Sequence, residues 1–189
     1  RQRQMCIRDS SKAYEVLTNL SSTKNNIILD FNYTASTRLI LKQCGLSDED
    51  IDNRLIKVHG EASNNDIIFG VEDNAGIKKE HVFLRKAYNI KYKALNFSEL
   101  YDRIKSVAIF GHSLGETDHT YFNKLFQESC MYNKFSTNNN KEFWLFYYKE
   151  NGYHCMMQQL DSLTHNSLTS FRQYNRVNFI NTDKEKVFI

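Results

Sequence analysis

The run Gly111-His112-Ser113-Leu114-Gly115 packs the most potential chemistry into the fewest residues. It has G-x-S-x-G spacing, follows the apolar stretch Ser106–Phe110 and precedes the amphipathic stretch His119–Met131. That is the context of a nucleophile elbow. In such a use Ser113 attacks an acyl carbon while a downstream histidine takes its proton. His119, His154 and His165 follow it, with Asp118, Asp161 and Asp183 as carboxylates to orient them. Asp161 and His165 have the required order, but they stand four apart on one expected helix instead of on separate loops. The same segment also suits a plain strand-to-helix turn, in which glycine permits the bend and Ser113 or Asp118 caps the helix.

Two further polar turns follow apolar runs. Asn32-Tyr33-Thr34 comes after Asn26–Phe31, and His59-Gly60 comes after Leu55–Val58. In an open parallel sheet, ligands bind beyond the carboxyl ends of the strands. Three such turns at that edge are expected to line one crevice, with Val107–Asp118 as its floor. A histidine near neutral pH can take a proton from a hydroxyl or from water. An asparagine both donates and accepts hydrogen bonds. The helix after Gly111 would offer amide N–H groups and its positive end to a phosphate.

Hydrophobic periodicity predicts the elements that must position these turns. Ser11–Leu20 reads as the end of a helix and Asn26–Phe31 as a buried strand. Ser36–Gln43 can start a helix, and Ser47–Asp50 is an acidic turn. Leu55–Val58 and Asp66–Val71 are the next strands, Lys78–Leu100 is mostly helical, and Ser106–Phe110 is the strongest strand. Helix His119–Met131, aromatic strand Phe143–Tyr148 and a long helix Tyr153–Tyr174 follow. Arg176–Asn181 closes the chain as a last strand, in a region able to add an antiparallel edge. Strands alternating with helices predict an α/β fold with a mostly parallel sheet flanked by helices.

Composition narrows the function classes. A chain of 189 residues can form one domain with one core. The expected organisation is a single α/β domain over residues 11–189, with residues 1–10 read as non-native sequence. Those ten residues hold three arginines and one aspartate, two of the three net positive charges. The remainder is nearly neutral, which argues against nucleic acid as a partner. Cys6, Cys44, Cys130 and Cys155 are scattered, with neither zinc-ribbon nor disulfide-framework spacing. They point to a reducing cytosol. No metal site is expected, His81 included. No run reaches the roughly 18 apolar residues of a membrane span, so no membrane contact is expected. Arg85, Lys86, Lys91 and Lys93 interleave with Tyr88 and Tyr92, which suits a solvated helix face with snorkelling stems. A nucleic-acid track is the other reading.

The order and spacing of Phe31-Asn32-Tyr33-Thr34, Val58-His59-Gly60, Ile67–Gly70, Gly111-His112-Ser113-Leu114 with Asp118, and Tyr121-Phe122 resemble the bacteriophage abortive infection family AbiH. The resemblance covers residues 11–135. It implies a Rossmann-like, sirtuin-like domain with a site for NAD or a related nucleotide, working in the cytoplasm. It also implies a phage-derived trigger. Residue by residue it assigns His59 the role of catalytic base, with Asn32 against the ribose. Tyr33, Thr34, Gly60, Gly111, His112, Ser113 and Leu114 become cofactor contacts, with Asp118 capping the next helix or facing the pocket rim. Sirtuin-like enzymes usually carry an aspartate two residues after that asparagine, where this chain has Thr34. The glycine-rich opening turn of the family is also absent here, so the chain is expected to be the C-terminal portion of a larger protein. The leading functional expectation is phage defence through a nucleotide site, with NAD hydrolysis as the enzymatic form. The alternatives are a non-catalytic sensor or interaction module and, third, a serine hydrolase.

Overall fold

The computed structural model describes residues 12–23, 25–68, 70–71, 75–88, 103–131 and 140–184. The chain divides into two compact units, Arg1–Lys93 with Lys186–Ile189, and Ala94–Glu185.

In the first unit, helix α1 (Lys12–Ser22) leads to strand β1 (Ile28–Asp30). Helices α2 (Ser36–Gln43) and α3 (Asp48–Arg54) then carry the chain across to strand β2 (Leu55–Lys57). The two strands are parallel, with Ile28 opposite Leu55 and Asp30 opposite Lys57. Leu41, Ile51 and Leu55 form a buried cluster, with Leu17, Ile28 and Leu46 packed against it. Ser47-Asp48-Glu49-Asp50 is exposed, but it is the capped start of α3 and not a turn. Ser47 Oγ accepts the Asp50 N–H at 3.1 Å, and the three carboxylates sit where the helix dipole favours negative charge. At the other end of α3, Arg54 donates to the carbonyls of Leu20 and Thr23, each at 2.8 Å, and closes the end of α1.

Two further expectations for this unit are corrected. The described residues of the expected strand Asp66–Val71 form none. Ile68 N–H bonds His59 O at 2.9 Å, and Val71 makes only an isolated parallel bridge to Arg85. Residues 79–88 are short 3-10 turns, Lys79–Leu84 and Lys86–Tyr88, instead of an α-helix. The reason lies in that bridge. Arg85 is extended, and Val71 exchanges backbone bonds with Leu84 and Lys86, which no continuous helix allows. The expected helical stretch at 89–100 lies outside the described residues.

In the second unit, strands β3 (Ser106–Ile109), β4 (Glu142–Tyr147) and β5 (Arg176–Asn181) form one parallel sheet in that order. Helix α4 (His119–Ser129) follows β3. Helices α5 (Lys149–Leu163) and α6 (Leu168–Tyr174) lie between β4 and β5. Phe126, Phe143 and Phe171 pack ring on ring with centroids 4.7–5.6 Å apart. The stripe Met156, Leu160, Leu163 is buried as expected. The expected single helix over 153–174 is broken, because His165 and Asn166 take left-handed φ values of 50° and 60°. That break returns the chain to the start of the sheet, where Arg176 pairs with Glu142. The last strand is therefore parallel, not antiparallel. Asn175 fixes the return by donating to Ser129 O at 2.7 Å and Phe171 O at 2.8 Å.

Both units are α/β, with parallel sheets flanked by helices, as the periodicity predicts. Among the described residues no helix is long and apolar enough to cross a membrane.

Candidate functional site

The carboxyl edge of β1 and β2 brings Asn32, Tyr33, Thr34, His59 and Gly60 together. Parallel pairing puts both strand ends on one side, and Ala62 N–H then bonds Tyr33 O at 2.8 Å. A buried ion pair braces the first turn. Asp30, with a side chain 3% exposed, meets Lys57 Nζ at 2.9 Å. Its other oxygen accepts the Asn32 backbone N–H at 2.9 Å and Asn32 Nδ2 at 3.0 Å. The ammonium also donates to Asn32 O and to Thr34 O. All three Lys57 donors are thereby used on the turn. Among the described residues no hydrogen bond engages Asn32 Oδ1, and Asn32 is exposed.

His59 lies beneath this turn, 5% exposed. Tyr33 stacks on its ring at 5.9 Å and Phe31 meets it edge-on at 5.4 Å. Gly60 follows at φ +74°, and a Cβ there would fall 2.1 Å from Asp66 O. Only glycine fits that approach. The Asp66 carboxylate accepts Glu61 N–H at 2.6 Å and fixes the loop.

Sequence reading missed Asp30 and Lys57. The signal available was a carboxylate closing an apolar strand, which demands a counter-charge once buried.

At the end of β3, in the second unit, Gly111 turns the chain at φ +63° into open space. Leu114 is fully buried yet left-handed at φ +54°, a strained state for a branched side chain. A histidine bracket holds it there. Leu114 N–H donates to His112 Nδ1 at 2.9 Å, so the ring proton sits on Nε2, 3.3 Å from Asp118 Oδ2. His119 Nε2 donates to Leu114 O at 3.0 Å and also meets Gln159 Oε1 at 2.9 Å.

The expected side-chain cap by Asp118 is absent, because its carboxylate turns back to His112. The Leu114 and Asp118 N–H groups are also taken, the latter by Gly115 O at 2.9 Å. With Glu116 and Asp118 present as well, this helix start holds negative charge of its own and offers a phosphate little. Replacing Asp118 by alanine, which removes the acceptor, should cost about 1.5–3 kcal/mol, the worth of a charged hydrogen bond. Chemical denaturation checks this.

Ser113 is exposed. Among the described residues no hydrogen bond joins it to a histidine. His154 is exposed beside Glu150, and His165 meets Gln127 at 3.0 Å. Burial pushes the Cys130 thiol up and keeps it protonated. Among the described residues no group of three or more His, Cys, Asp or Glu could hold a metal ion. Lys86 is buried and so does not belong to a solvated basic face. Lys91, Tyr92 and Lys93 lie outside the described residues.

A family model described as bacteriophage abortive infection AbiH matches residues 2–145. No curated protein and no solved structure matches the chain.

Proposed function

The chain belongs to the bacteriophage abortive infection AbiH family, its role is defence against phage, and we propose that it acts through a site for NAD or a related nucleotide at the carboxyl edge of β1 and β2. One observation carries the reading. The Asn32–Thr34 turn and His59 share that edge, where open parallel sheets bind ligands. The Asp30–Lys57 pair presents Asn32 in one orientation before any ligand arrives, which lowers the ordering cost of binding.

The proposed reaction is hydrolysis of the N-glycosidic bond of NAD. His59 takes a proton from water, the water oxygen bonds to the ribose carbon, and nicotinamide leaves with the electrons of the broken C–N bond. Asn32 Oδ1 accepts from that water or from a ribose hydroxyl. Tyr33 covers the imidazole, so the substrate must displace its ring to reach His59. NAD should fall in phage-challenged cells carrying the protein, and should hold steady with His59→Gln when that variant melts like the original. Unchanged NAD with the original protein, or the same fall with His59→Gln, overturns the reading.

A second reading has its own support. His59 is buried and Asn32 Nδ2 is committed to Asp30, as befits a module that senses a nucleotide or a phage-derived trigger without catalysis. It predicts protection that survives His59→Gln and is lost on changes at Gly111 or Ser113.

A further inference from the structure

The carboxyl edge of the sheet in the second unit forms a groove. At the carboxyl ends of β4 and β5 there is an open groove of about 410 Å³, with Lys149, Glu150, Asp183 and Lys184 exposed around it. Its position obeys the strand-end rule for parallel sheets. The chain builds it deliberately. After β5, Thr182 donates through both N–H and Oγ1 to Tyr147 O, at 2.9 and 3.1 Å. Asp183 N–H then bonds Asn181 Oδ1 at 3.0 Å. These bonds fold Asp183 and Lys184 back over the end of β4, opposite Lys149 and Glu150 at the start of α5. Tyr153 forms a fixed aromatic wall, with ring centroids 5.2 Å from Tyr147 and 5.4 Å from Phe179. Lys149 is held at φ +57°, a conformation costly for lysine and characteristic of ligand clamps.

We infer that this groove is a second small-molecule site, and that its ligand is a nucleoside monophosphate. The lining residues include two lysines, a glutamate and an aspartate beside two tyrosines, with Lys149 Nζ 4.9 Å from the centre of the Tyr148 ring and Glu150 3.8 Å from His154. A bare anion would face Glu150 and Asp183, and a bare cation would face Lys149 and Lys184. A nucleoside monophosphate satisfies every group. Its phosphate pairs with the lysines, its ribose hydroxyls donate to the carboxylates, and its base packs on Tyr147 and Tyr153. The groove suits a mononucleotide better than a dinucleotide. The inference does not rest on the β1–β2 reading, since the residues belong to the other unit.

Calorimetric titration of the chain with AMP, GMP, CMP and UMP tests it. At least one should bind saturably. Lys149→Gly, which suits the left-handed backbone and should melt no lower, should weaken that binding about tenfold or more. Asn32→Ala should leave it unchanged. The inference is overturned by no binding of any of the four, by binding that survives Lys149→Gly combined with Lys184→Ala, or by equally tight binding of inorganic phosphate or of tryptophan. Loss of binding in Asn32→Ala with retention in Lys149→Gly assigns the nucleotide to the β1–β2 edge and overturns it as well.

Discussion

Lys57→Met should destabilise the protein by about 3–5 kcal/mol, the usual cost of leaving a buried charge without its partner. Asp30 is almost wholly covered and its carboxylate is held by Lys57 Nζ at 2.9 Å. Methionine keeps the length of the side chain and removes the ammonium. The carboxylate is then stranded, and the carbonyls of Asn32 and Thr34 lose their shared donor. A loss of this size lowers the melting temperature by about 10 °C or more in a chain of this length. Removing both charges with Asp30→Leu and Lys57→Met should recover much of the loss, because neither charge is then buried alone. A cost below about 1 kcal/mol for Lys57→Met alone would show that the pair does not brace the turn.

Gly60→Ala should cost more than about 3 kcal/mol and end protection against phage. Two effects add. The residue sits at φ +74°, and its new methyl would stand 2.1 Å from a backbone oxygen of Asp66, which cannot swing away as a side chain can. Gly111→Ala supplies the control. It has a similar φ of +63° but nothing within 4 Å of the added carbon, so only the conformational cost of about 1–2 kcal/mol applies. Urea denaturation of the two variants separates the terms. Equal losses would mean that the contact with Asp66 relaxes freely and does not fix His59.

Most elements were legible because hydrophobic period and burial agree. Ser36–Gln43 and Arg176–Asn181 match the structure end to end. The three polar turns do follow strands, and two of them meet on one edge. The errors arise where a particular bond or backbone conformation overrode the local pattern. Residues 78–88 have helical spacing, but Arg85 pairs with Val71 and interrupts it. The stripe from Met156 to Tyr174 is continuous in sequence, yet left-handed residues at 165 and 166 break the helix. Asp118 has the position of a cap and is diverted to His112. Asp30 and Lys57 are 27 residues apart, and only the parallel register makes them partners. Asp30 closes β1 two residues before Asn32, and its burial shows only once the pairing with Lys57 is known. The groove beside Tyr147 left no sequence signal, since its walls come from the ends of separate elements and follow no motif.

The central claim is that the turn following β1 and His59 together receive a nucleotide. NMR of the chain during titration with NAD tests it most directly, with the Asn32 side-chain amide and the His59 imidazole as reporters. Both should shift together and saturate at one NAD concentration, with the Tyr33 ring signals moving as its stacking on His59 is broken. If these three residues hold their resonances while NAD is raised to millimolar levels, the β1–β2 edge is not a nucleotide site.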